Sequence, residues 1–154
     1  NTNLGFAEMY LNTINVENEI RSIDVSRLVS KIAEISEVRT KLVEQQQAMG
    51  LKKGIVMDGR DIGTVVFPDA ELKLFMTASP HTRAQRRYDE LIEKGQKVTY
   101  DEVLQNVQER DYIDTHREDS PLVKATDAIE IDNSTLTKSE QFDLVLDLID
   151  KFYN

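Results

Sequence analysis

GIVMDGRDIGTVVFP, residues Gly54 to Pro68, sets a short apolar run directly against a charged turn. Ile55, Val56 and Met57 predict a buried strand, and the run stops at Asp58, Gly59, Arg60 and Asp61. In open α/β sheets ligands occupy the crevice beyond the carboxyl ends of the strands, so a charged turn there is a binding-site candidate. Gly59 and Gly63 allow a tight turn and a close backbone approach, Arg60 offers a planar fork to phosphate, and Asp61 offers an acceptor to an amine or hydroxyl. A polar turn closed by its own ion pair is the competing reading, evenly balanced with the first on these residues alone.

Upstream, Phe6 to Val16 alternates apolar residues around an Asn-Thr turn and predicts two short strands in a hairpin. From Val25 the period becomes helical: Val25, Leu28, Ile32, Ile35, Leu42 and Met49 form a stripe in which Arg39 and Gln46 fill the two remaining places. Arg39 either snorkels or pairs locally, or presents its fork to an anion or a base edge. Ser36 is a favoured N-cap with Glu37 in the first turn, which predicts two helices divided near Ser36.

Downstream, residues 50–54 read as a loop, and the Pro68-Asp69 turn leads to a strand over Leu72 to Met76. Ser79 and Pro80 start a helix that ends at Gly95. Thr99 with Glu102 is a capping box opening a helix to about Arg117, which Ser120-Pro121 ends. Ala128 to Asp132 predicts a third strand, and Thr137 with Glu140 caps a last helix whose apolar face is Phe142, Val145, Leu146 and Ile149. This order predicts a parallel α/β sheet flanked by helices.

A chain of 154 residues buries one sizeable core with an appendage. A net charge of −9 argues against nucleic acid or an anionic membrane as partner, so any phosphate site must be a local arginine cluster. With no cysteine there are no disulfides and no thiolate metal sites, which fits a reducing, cytoplasmic setting. His81 and His116 stand apart and read as solvated helix residues rather than metal ligands. No apolar run is long enough to span a membrane, and the first residues lack the features of a signal peptide. Without an initiator Met, the chain is expected to begin in mid-protein.

Two helical stripes carry the remaining arginines. Arg83, Arg86 and Arg87 share one face of the first helix after Ser79, and Arg110, Asp114 and Arg117 share one face of the next. Arginines on adjacent helices suit phosphoryl transfer, where positioning and charge neutralisation do most of the catalysis. Solvated faces laced with Glu90, Glu93, Glu109 and Asp111 are the alternative for either stripe alone.

The run IVMDGRDIGTVVFPDAELKLFMTASPHTRAQRR, then ERDYIDTHRE and SPLVKATDAIEID, resembles the bacterial cytidylate kinase family, and NVENEIR and VSRLVSKIAEISEVR resemble its nucleoside-monophosphate-binding insert. The resemblance implies a P-loop nucleoside monophosphate kinase fold, with the insert at 1–50 and the core at 51–154, including a lid at about 80–118. It implies transfer of the γ-phosphoryl of ATP, with Mg2+, to CMP or dCMP, by an enzyme that is a monomer when full length. Carried over by position, Ser30, Arg39 and Asp61 match the readers of the cytosine edge, Arg110 and Asp114 hold the ribose, and Arg60 and Arg117 bind phosphate. Arg60 joins the lid residues Arg83, Arg86 and Arg87 as catalytic candidates. Ser30 and Arg39 lie on opposite faces of any single unbroken helix, so these assignments require the break near Ser36.

No GxxxxGK(S/T) pattern occurs in the chain. The resemblance places that loop, with its phosphate-neutralising Lys and Mg2+-binding hydroxyl, ahead of residue 1, so this chain alone is expected to be an incomplete part and inactive. It is also expected to leave sheet edges unpaired and apolar surface exposed. The alternatives are a non-catalytic nucleotide-binding or interaction module, a kinase with another base preference, and a phosphatase using Asp58 as nucleophile. The last fits poorly, because Gly59-Arg60 separates Asp58 from Asp61.

Overall fold

Ser79 and Pro80 open the helix on which the core forms. The structure, a computed structural model, describes residues 8–153. In it α3 (Pro80–Glu93) starts with the Ser79 hydroxyl accepting from the Thr82 amide at 3.0 Å. It stops at Gly95, whose φ of 73° belongs to the left-handed region, and the amides of Gly95 and Gln96 close onto Ile92 and Leu91 at 2.9 Å. The Thr99–Glu102 capping box opens α4 (Tyr100–His116) as predicted, with the Glu102 carboxylate accepting from the Thr99 amide at 2.9 Å. The two helices form a hairpin whose facing residues Ala84, Leu91 and Val103 are at most 1 % exposed. Ile23, Tyr88, Val98, Tyr100, Leu104 and Val107 pack around them.

The hairpin is also a crossover. Parallel strands cannot be joined by a tight turn, and α3 and α4 supply the long connection between β3 (Leu74–Thr77) and β4 (Ile129–Asp132). These pair in parallel from Leu74 opposite Ile129 to Thr77 opposite Asp132. α5 (Lys138–Tyr153) follows, with the Thr137 and Glu140 side chains each accepting from the other's backbone amide.

The N-terminal hairpin has the expected form: β1 (Tyr10–Leu11) and β2 (Ile14–Asn15) pair antiparallel across Asn12 and Thr13, both at positive φ. Phe6 and Ala7, included in that expectation, lie outside the described residues. A 3-10 turn, Glu19–Arg21, leads to α1 (Ile23–Ala33), and α2 (Ser36–Gly50) follows after the predicted break. The cap assignment is corrected. Ile35 occupies the N-cap position without a side-chain bond, and Ser36, the first helical residue, instead donates its hydroxyl to Asp119 of the loop after α4. α2 runs through Gly50, where a Cβ would overlap the Phe67 ring.

The predicted strand at 55–57 is not formed. Lys53 and Gly54 turn the chain through positive φ, residues 55–57 are irregular, and Val56 is 98 % exposed. A strand exists only against a neighbour, and no described segment pairs with this one, so the described sheet has two strands. The downstream strand begins at Leu74, two residues later than predicted. The stripe from Val25 to Met49 is helical except at Ile35, in the break between α1 and α2, yet its six apolar members are 38–65 % exposed, and Phe142 and Leu146 of α5 are exposed as well.

Candidate functional site

Beyond residues 55–57 the chain enters a widened helical turn, Ile62–Val66, in which the Asp61 carbonyl accepts from the amides of Val65 at 2.9 Å and Val66 at 3.2 Å. Such π-type turns recur at functional sites because they aim a side chain that a regular helix would turn away. Here the residue at the turn's start is Asp61, only 4 % exposed. Arg39 reaches it from α2: Nη1 donates to Asp61 Oδ2 at 2.8 Å while Nε donates to the Ala33 carbonyl at 3.1 Å. Arg39 therefore folds back over the end of α1, where Ser30, one turn earlier, is 3 % exposed. The break at residues 34–35 makes this possible.

Asp114 organises a second group from α4. Its Oδ2 accepts from Arg60 Nε at 2.9 Å and its Oδ1 from Arg117 Nη1 at 3.3 Å. Arg117 is held from the other side, its Nε donating to the Ser120 carbonyl at 2.8 Å. Ser120 turns the loop at a φ of 53°, and the Leu122 amide returns to the Asp114 carbonyl at 2.7 Å. Arg110, one turn before Asp114, donates from Nη1 to Ser26 of α1 at 3.0 Å.

Arg39, Arg60, Arg110 and Arg117 thus stand with only two carboxylates, Asp61 and Asp114, an excess of two positive charges in a chain whose net charge is −9. Burial first, and then the charge of Arg60, lowers the Arg110 pKa from its ordinary value, with Asp114 opposing. Burial and Arg39 lower that of Arg117 in the same way. Both remain cations, so the direction of the shifts records a cationic site held against desolvation and like charge, which a bound anion would relieve. Two buried N–H groups, Arg110 Nε and Arg117 Nη2, have no hydrogen-bond partner among the described residues. Buried donors are almost always satisfied, and these two mark where an acceptor belongs.

Arg83, Arg86 and Arg87 share a helix face, but their guanidinium groups part company. Arg83 makes a two-pronged pair with Asp111 of α4, at 2.8 and 2.6 Å, and also donates to the Ala78 carbonyl. Arg86 reaches the loop after β4, donating to Asn133 Oδ1 at 3.0 Å and to the Asn133 and Leu136 carbonyls. Arg87 pairs with Glu90 at 2.6 Å and donates to the Arg21 carbonyl in the 3-10 turn. None of the three is bonded to Asp61 or Asp114. The contacts of Ser26 and Asn106 with the arginine group escaped the sequence reading. Their one signal was spacing, since Ser26 lies one helical turn before Ser30 and Asn106 one turn before Arg110.

Known proteins resemble this chain over nearly its whole length. Residues 1–151 match the family model described as cytidylate kinase. A cytidylate kinase of Flavobacterium psychrophilum is 74 % identical over 97 % of this chain, one of Flavobacterium johnsoniae is 73 % identical over 97 %, and one of Bacteroides thetaiotaomicron is 60 % identical over 92 %. The chain spans 66 %, 65 % and 62 % of the length of those three relatives. The buried arginine groups, the parallel strands joined through a helical hairpin and these matches agree: the chain belongs to the cytidylate kinase family, whose fold is that of the P-loop nucleoside monophosphate kinases.

Proposed function

We propose that this chain supplies the acceptor-nucleotide side of a cytidylate kinase, which moves the γ-phosphoryl group of ATP onto CMP or dCMP. The observation that carries the reading is the surplus of guanidinium groups around Asp61 and Asp114, with buried, unpartnered N–H donors on Arg110 and Arg117, in the same molecule as the Arg39–Asp61 pair. Cytosine presents an amine donor beside ring-nitrogen and carbonyl acceptors. Asp61 accepts from the amine, while Arg39 and Ser30 donate to the acceptors. A uracil carbonyl in place of the amine would face the Asp61 carboxylate and be repelled. Arg110 and Asp114 hold the ribose, and Arg60 and Arg117 take the phosphate, exchanging part of their present bonding for its oxygens.

Residues 1–50 act as the nucleoside-monophosphate-binding insert and 51–154 as core, with a lid at about 80–118. On closure Arg83, Arg86 and Arg87 trade their present partners for phosphoryl oxygens and exclude water, so that ATP is not hydrolysed unproductively. The Mg2+ of the reaction would be held by the phosphates of ATP and by the hydroxyl of a GxxxxGK(S/T) loop, where it neutralises the phosphate charge. No helix among the described residues is long and apolar enough to cross a membrane. The setting we propose is cytoplasmic, with the full-length enzyme a monomer. Phosphoryl transfer is not expected from these 154 residues by themselves, because they contain no GxxxxGK(S/T) loop.

Calorimetric titration of the purified chain with CMP, with UMP as control, tests the reading. Saturable binding that favours CMP by about tenfold or more is the expected result, equivalent to one well-made polar contact to a charged group. Absence of binding by a chain that circular dichroism shows to be folded would overturn it.

A further inference from the structure

The four-residue spacing seen on α4 repeats on α1. Asn106, Arg110 and Asp114 follow one another at single-turn intervals along α4, and Ser26 and Ser30 do the same on α1. Two bonds join the ladders: Arg110 Nη1 to Ser26 Oγ at 3.0 Å and Ser26 Oγ to Asn106 Oδ1 at 2.8 Å. Their polarity is settled by chemistry. Guanidinium only donates, so the Ser26 oxygen must accept from Arg110, and its single hydroxyl hydrogen is then committed to the Asn106 carbonyl oxygen. Asn106 is 8 % exposed, so water competes poorly for that oxygen.

We propose that Ser26 and Asn106 are a positioning pair for Arg110. They fix its guanidinium plane across the α1–α4 interface and leave the unpartnered Nε for the acceptor nucleotide. The inference rests on the acceptor-site reading above and deepens it, because Ser26 shares α1 with the base reader Ser30, while Arg110 shares α4 with Asp114. One bond thereby registers the base-reading helix against the ribose-holding helix. Neither Ser26 nor Asn106 touches the nucleotide in this scheme, and each acts through Arg110. Loss of the Ser26 hydroxyl would strand Nη1 beside the already unpartnered Nε and free the guanidinium to rotate.

Two readouts on the parent chain, S26A, S26T and N106A test the pair. The first is side-chain nitrogen-15 NMR of the Arg110 Nε–H group, which reports rotation of the guanidinium without any ligand. Rotation should accelerate about tenfold in S26A, the size expected for loss of one hydrogen bond to a charged donor, and should return toward the parent rate in S26T. The second is CMP affinity, expected to fall about tenfold in S26A, less in N106A, and no further when S26A is added to R110A. Unchanged rotation in S26A, or additive losses in S26A/R110A, would overturn the proposal. A parent chain that fails to bind CMP while its Arg110 rotation still depends on Ser26 would uphold the positioning and overturn the acceptor-site reading. Should S26A not fold, S26T and N106A, checked by thermal melt, decide the same question.

Discussion

The α3–α4 hairpin and the stretch from α2 through Met57 both carry apolar residues, yet these meet opposite fates. In the hairpin, Ala84, Leu91 and Val103 vanish from solvent against one another. Met49, Leu51 and Val56 are 65, 82 and 98 % exposed. Apolar spacing announces that a face exists and where it points, but burial depends on a second face arriving to cover it. The hairpin brings its own partner, a few residues away, while the other stretch, which meets the Ile62–Val66 turn and Phe67 only along one side of α2, leaves Met49, Leu51 and Val56 open.

That contrast predicts where substitutions will matter. The largest effect is expected at Asp114, which is 3 % exposed and neutralises both Arg60 and Arg117 from the hairpin. D114A leaves the buried Arg117 guanidinium without its carboxylate and should cost about 3–5 kcal/mol in urea unfolding; a loss below about 1 kcal/mol would break the comparison. Leu91→Ala, at a site with no exposure, should cost about 2–5 kcal/mol by the same measurement. A smaller effect should appear with pH at Glu90 of the hairpin. Partial burial raises its pKa, but bonds from Lys94 and Arg87 outweigh this and leave it below the ordinary carboxylate value. Its contribution is therefore full above the unfolded-state pKa and lost as pH falls through the lower folded value. On so exposed a pair it should be under about 1 kcal/mol, seen as a difference between the parent and E90Q that is present above about pH 5 and shrinks as the pH falls below it. Val56→Ser should be the mildest, within about 0.5 kcal/mol, and a larger loss would mean that something covers residue 56 in solution.

Local chemistry was the legible part of the sequence. Ser79-Pro80, Thr99 with Glu102 and Thr137 with Glu140 announced helix starts because each cap is closed by residues within three positions. The break before α2 was legible from Ser36 and Glu37 as helix-start residues, although Ile35 takes the N-cap place and Ser36 found its partner far away, in Asp119. The strand at 55–57 was misread because a strand is a relation between segments and not a property of one. For the site, the residue types at 39, 60, 61, 110, 114 and 117 could be read from charge and position. The splaying of Arg83, Arg86 and Arg87 could not, since each side chain is long enough to leave its helix face for a partner on another element. Ser26 and Asn106 offered only their spacing, because a hydroxyl and an amide acquire meaning from what stands opposite, here 80 residues away.

The crossover has a consequence in time. β3 and β4 touch only when Leu74 meets Ile129, and the Ile129 amide reaches the Lys73 carbonyl at 2.9 Å, after the whole of α3 and α4 has been traversed. Closing so long a flexible segment is slow, whereas a helical hairpin assembles from neighbours and shortens the gap as it forms. The order of folding should therefore run from hairpin to sheet. In pulse-labelled hydrogen exchange, the amide of Val103 should become protected before that of Ile131, and the arginines of α4 should be in place before the strand pair forms.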